Sequence, residues 1–142
     1  MIANPQALED LRASWDGVRQ LRQKIYSAVM HGVIASPGLI FIADAAHNLP
    51  FLHACGVFND VLEQLRDEGH FRCSKRELGA LVRASRKVLP WRRMNYLLIR
   101  KEIVKCRNDL AHHAAIVPRD DCWRYIDAIE AELVHWGIVL PV

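Results

Sequence analysis

The sequence predicts an all-α protein, a bundle of about five helices joined by short connections. Three observations carry that prediction. Apolar residues recur at three- and four-residue spacing over long windows, no segment sustains a period of two, and prolines and glycines fall at the joints between the periodic runs. The 142 residues suffice for one domain with a real core, and residues 1–142 read as a single helical domain without repeats or low-complexity tracts.

The first helix is expected from Pro5 to about His31, because Leu8, Leu11, Trp15, Val18, Leu21, Ile25 and Val29 form one stripe. The run "ASPG" breaks it, with Ser36 as a cap and Pro37 at the first position of the next helix. That helix is expected to about Asn48, to kink or restart at Pro50, and to continue to about Asp67 before Gly69. "SKRE", residues 74–77, has the spacing of a capping box in which Ser74 and Glu77 satisfy each other's amides. The helix it would open places Leu78, Leu81, Val82 and Val88 on one face and ends at Pro90. Another helix follows from about Trp91 to His113. The last is expected to be capped by Asp120 or Asp121, to run through Ile126, Ile129, Leu133 and Trp136, and to end at Gly137.

Composition narrows the function classes. Hydrophobic residues make up 51% and charged residues 25%, the range of a folded globular chain. The longest apolar run, "GVIASPGLIFIADAA", is broken by Ser36-Pro37-Gly38 and by Asp44, too short and interrupted to span a bilayer. The opening "MIANPQALED" lacks the basic and apolar regions of a secretory leader, so a soluble, cytoplasmic protein with no membrane partner is expected. Cys55, Cys73, Cys106 and Cys122 form no C-x-x-C pair and read as reduced thiols. His53-x-Cys55 and His70-x-x-Cys73 match no standard zinc spacing, and no metal or other cofactor is expected. There is no phosphate-binding glycine loop of the G-x-x-x-x-G-K type and no G-x-S-x-G elbow.

The net charge of +3 hides a strong asymmetry. Residues 66–107 carry 13 Lys/Arg against 4 Asp/Glu, a local charge of +9, whereas residues 1–65 carry −2 and residues 108–142 carry −4. Such an excess suits a polyanion. Arg76, Arg83, Lys87, Arg93, Arg100, Lys101 and Lys105 are the candidate RNA-binding residues within it.

The run "CRNDLAHH", residues 106–113, gathers titratable and polar groups at the end of the expected 91–113 helix. Turned at about 100° per residue, that helix puts Tyr96, Ile99, Ile103, Cys106 and Leu110 toward the core. Lys101, Lys105, Asn108 and His112 form a stripe opposite, Arg93, Arg100 and Arg107 a second, and Asp109 and His113 an i, i+4 pair. Leu97, Val104 and Ala111 add a second apolar stripe, from which a homodimer across this helix is expected. Histidine can act as base or acid near neutrality, arginine can hold a phosphoryl group, and asparagine can orient either. RNA brings its own nucleophile, the 2′-hydroxyl. Arg107, His112 and Asn108 are therefore the candidate catalytic residues, with His113 the alternative histidine.

"RNDLAH", Arg107 to His112, resembles the signature of HEPN domains: arginine, a polar residue, then histidine after four to six intervening positions. The stretch "LLIRKEIVKCRNDLAHHAAIVPRDDCWRYIDAIEAEL" is similar to the last two helices of that family, and a looser likeness reaches back to Ser74. The resemblance implies an all-α, dimeric, HEPN-like bundle. It implies a metal-independent endoribonuclease with a composite Arg/His site at the dimer interface, acting as a toxin or defence effector. A nucleotidyltransferase-like antitoxin would be its partner. One subgroup presents a tyrosine two residues after the histidine for adenylylation, and Ala114 stands there instead. The alternative is a non-catalytic HEPN interaction or dimerisation module that binds RNA, nucleotide or a protein partner. A third reading is a plain bundle whose "RNDLAHH" solvates a helix end, where the macrodipole favours histidine.

Overall fold

The computed structural model describes residues 1–31 and 40–142, with side chains described from Asp44 onward in the second block. Helix α1 is Pro5–Met30, α2 is Ile40–Asp67 and α3 is Leu78–Ser85. Helix α4, Arg93–Leu98, passes through a π turn, Ile99–Ile103, into α5, Val104–His113, as one continuous rod. Helix α6 is Arg119–His135. The described residues thus form five helical rods and no strand.

Helix α1 starts where the Asn4 side chain accepts the amides of Gln6 at 3.0 Å and Ala7 at 3.1 Å, with Pro5 at the first helical position. It buries Leu11, Trp15 and Val18 against α2. Helix α2 is the centre of the bundle, packed on α1, α3 and α6. It contributes Phe51, Ala54, Val57, Phe58, Val61, Leu62 and Leu65 to one contiguous core. Contrary to the expected break, α2 runs through Pro50, which is itself buried. It ends at Gly69, whose φ of +87° suits glycine alone among common residues, with the His70 amide returned to the Leu65 carbonyl at 3.0 Å. The expected Ser36 cap lies outside the described residues.

Two local signals are overridden. The Ser74–Glu77 capping box does not form: α3 begins only at Leu78, and Glu77 sits at the cap position without a side-chain bond. The Lys75 carbonyl is taken instead by Arg66 Nη1 at 3.1 Å and by the Cys73 thiol at 3.4 Å. Leu78, Leu81 and Val82 are buried as expected, but Val88 is exposed because α3 has already ended, and Leu89 turns inward in its place. Nor do Asp120 or Asp121 cap α6. Pro118 holds the cap position, both aspartates lie in the first turn, and the Arg119 amide is capped from α2 by the Asp44 carboxylate at 3.0 Å.

The α5–α6 connection is pinned by the same helix. Asn48, buried, accepts the Val117 amide at 2.9 Å and donates to the Val117 carbonyl at 2.7 Å. At the other end of α6, buried Glu132 accepts the Arg92 amide and the Asn95 side chain, both at 2.8 Å, which fixes the start of α4.

The α4–α5 rod differs most from expectation. Tyr96, Ile99 and Ile103 face the core, but the π turn buries Val104 as well. Val104 packs on α3 at Gly79, where an added Cβ would lie 3.1 Å from its Cγ1. Leu97 also packs against the core, and only Ala111 of the second apolar stripe stands exposed. Of the stripe expected to seat a second subunit, Val104 is covered by the chain's own α3 and Leu97 is half-buried. Helix α5 ends at Ala114, a non-glycine residue in the left-handed region at φ +52°, and the Ala115 amide returns to the Asp109 carbonyl at 3.3 Å. Among the described residues no helix is long and apolar enough to cross a membrane.

Candidate functional site

The last turns of α5 carry Arg107, Asn108, His112 and His113. The core contacts of the preceding turns fix which way they point. Arg107 is half-buried, and its Nη1 donates to the side-chain oxygen of Asn108 at 3.2 Å. Asn108, His112 and His113 are exposed, as are Lys101 and Lys105. Asp109 lies 4.0 Å from Lys105, so the expected Asp109–His113 pair is replaced by an ion pair one turn earlier. No hydrogen bond joins Arg107 to either histidine among the described residues.

Arg107 also lines a cleft of about 590 Å³ that His112 does not reach. One wall is a stripe of α2 made of Leu52, Gly56, Asn59 and Asp60, with the buried Cys55 thiol at its base. The other is the approach to α3, where Arg76 and Glu77 stand. Among the described residues, neither arginine is ion-paired with Asp60 or Glu77. Burial pushes the Cys55 thiol up to about 12, with the nearby Arg107 charge pulling the other way, so this sulfur is a packed apolar group and not a nucleophile. Burial, then the neighbouring Glu63, raises the Asp60 carboxyl above its ordinary value.

Arg76, Arg83, Lys87, Arg93, Arg100 and Lys101 are exposed and make no ion pair among the described residues. Arg76 joins the cleft. Arg93 lies by a second, smaller hollow of about 280 Å³ with Trp91, Tyr96 and Arg86, whose guanidinium stands 5.4 Å from the centre of the Tyr96 ring. Arg86 escaped the sequence reading because it finds its ring across a loop. Asn59, Asp60 and Gly56 also escaped it. Their signal was the i, i+3, i+4 spacing along α2, which gains meaning only when α5 and the α3 approach close on it.

The two zinc-like fragments are used otherwise. His70 Nε2 is bonded to the Met1 carbonyl at 3.0 Å, Cys73 donates to Lys75, and His53 is exposed while Cys55 is buried. Among the described residues no three His, Cys, Asp or Glu side chains gather as metal ligands would.

No protein-family model, curated protein or solved structure matches the chain.

Proposed function

We propose that the chain is a metal-independent endoribonuclease of HEPN type, built on Arg107, Asn108 and His112 and active as a homodimer. The observation that carries this reading is the end of α5. There an arginine steadied by its own neighbour borders a cleft, a histidine without a hydrogen bond among the described residues stands exposed, and basic residues with no ion pair among the described residues lead up to both. In the reaction, a histidine takes the proton of a ribose 2′-hydroxyl, and that oxygen bonds to the adjacent phosphorus. The bond to the 5′-oxygen breaks, a second acid returns a proton to it, and the products end in a 2′,3′-cyclic phosphate and a 5′-hydroxyl. Arg107 stabilises the charge that gathers on the phosphoryl oxygens. One chain holds Arg107 and His112 apart, and a second copy supplies the missing acid. Exposed Leu49 and Leu52, the latter at the rim of the Arg107 cleft, give that copy an apolar foothold. The cellular setting in this reading is cytoplasmic, as a toxin or defence effector held by a nucleotidyltransferase-like antitoxin.

The second reading is a non-catalytic HEPN module that binds RNA, nucleotide or protein through the same surface. The burial of Val104 and the half-burial of Leu97 within the chain favour it, since most of that apolar stripe is already taken up. RNA cleavage in the presence of EDTA, wild type against His112→Ala and Arg107→Ala, decides between them. Loss of cleavage in both variants supports the nuclease, and binding without cleavage by the wild type supports the module.

A further inference from the structure

We infer that the cleft beside Arg107 is a guanine pocket, receiving the base of the RNA nucleotide next to the phosphate held by Arg107. The inference deepens the ribonuclease reading and takes the source of the base from it. The cleft has the volume of a small-ligand site. Its charges decide what kind. Arg76 and Arg107 are balanced by Asp60 and Glu77, and the four are left unpaired with one another among the described residues. With two carboxylates beside its two guanidiniums, the cleft is not built for an anion alone. The fitting ligand offers donors and acceptors together on one rigid edge.

Of the four RNA bases, guanine alone sets two donors, N1–H and N2–H, side by side, with two acceptors, O6 and N7, next to them. A carboxylate takes the first pair through both oxygens, and a guanidinium fork takes the second. Adenine and cytosine offer one amino group beside acceptors, and uracil one N–H between two carbonyls. Asp60 is the acceptor in this arrangement and Arg76 the fork, leaving Arg107 for phosphate. Asn59 can serve either edge.

Gly56 supplies an independent argument. It lies within α2 on the cleft wall, where glycine weakens a helix, and a Cβ built on it would meet nothing within 4 Å. Among the described residues no contact requires the missing side chain. Bare backbone at a cleft wall is what close approach of a flat ligand needs.

The test is calorimetric titration of the full chain with the 5′-monophosphates of guanosine, adenosine, cytidine and uridine. Guanosine monophosphate is expected to bind at least about tenfold more tightly than the others. Asp60→Asn and Arg76→Ala should each erase that preference. Gly56→Leu should abolish binding while the melting temperature holds or rises, since a leucine there fills the cleft and favours the helix. Equal affinities, no binding of any nucleotide, or undiminished guanosine binding by Gly56→Leu overturns the inference. Guanosine preference without RNA cleavage would instead leave the pocket standing and remove the nuclease. Cleavage without guanosine preference would do the reverse.

Discussion

Arg107 hands one of its guanidinium donors to Asn108, its neighbour in sequence, at 3.2 Å. The contact holds the arginine's head near the helix surface and leaves its other donors free. On the proposed mechanism, Asn108→Ala should reduce RNA cleavage less than Arg107→Ala does. Single-turnover rates on one RNA give the order: wild type, then Asn108→Ala, then Arg107→Ala.

His112→Ala should lower the cleavage rate by roughly a hundred- to ten-thousandfold, the usual worth of an acid–base group. Its side chain is exposed and makes no hydrogen bond among the described residues, so stability should change by no more than about 0.5 kcal/mol in urea unfolding. His113→Ala measured alongside identifies the acting histidine: the variant that loses the rate names it.

RNA binding should weaken steeply with salt, because each phosphate neutralised by Arg83, Lys87, Arg93, Arg100, Lys101 or Lys105 releases counterions. A plot of log affinity against log salt gives the number of contacts. Removing one of these residues should lower the slope by about one.

Asn48→Ala should destabilise the fold by about 2–3 kcal/mol, since it strips the Val117 amide and carbonyl of their bonds to Asn48 in a buried setting. Chemical denaturation reads the loss. The same variant loosens the loop between α5 and α6, so amide exchange should quicken there first.

The alkaline limb of stability should carry the mark of Cys55 and Cys122. Both thiols are pushed by burial from near 9 to about 12. The unfolded chain therefore releases their protons first. Their contribution is whole below about pH 9 and is lost as pH rises toward 12. Cys55→Val should flatten the fall in unfolding free energy measured across that window.

Helix existence was legible because burial imposes its period on the residues. Leu11, Trp15 and Val18 on α1 and Ile126, Ile129 and Leu133 on α6 are buried as their spacing requires. What was not legible depends on neighbours far along the chain. Ser74 and Glu77 have the letters of a capping box, yet Arg66 claims the Lys75 carbonyl. Asp120 and Asp121 have the letters of a cap, yet Asp44 reaches the Arg119 amide from α2. Val104 looked available to a partner because nothing in its own helix says that Gly79 lies against it. Asn108 and His112 are exposed as their period suggests, but their azimuth is set by a π turn that the period does not foresee, and the cleft at Arg107 needed three separated segments to meet.

The π turn at Ile99–Ile103 works as a shim in a screw. It lets Tyr96 keep its seat while everything beyond Val104 is dialled to a different azimuth. Winding the same residues as plain α-helix would swing Arg107, Asn108 and His112 together by about 100° around the axis. The signature letters would survive intact in the sequence, and the guanidinium would no longer face the cleft it now lines.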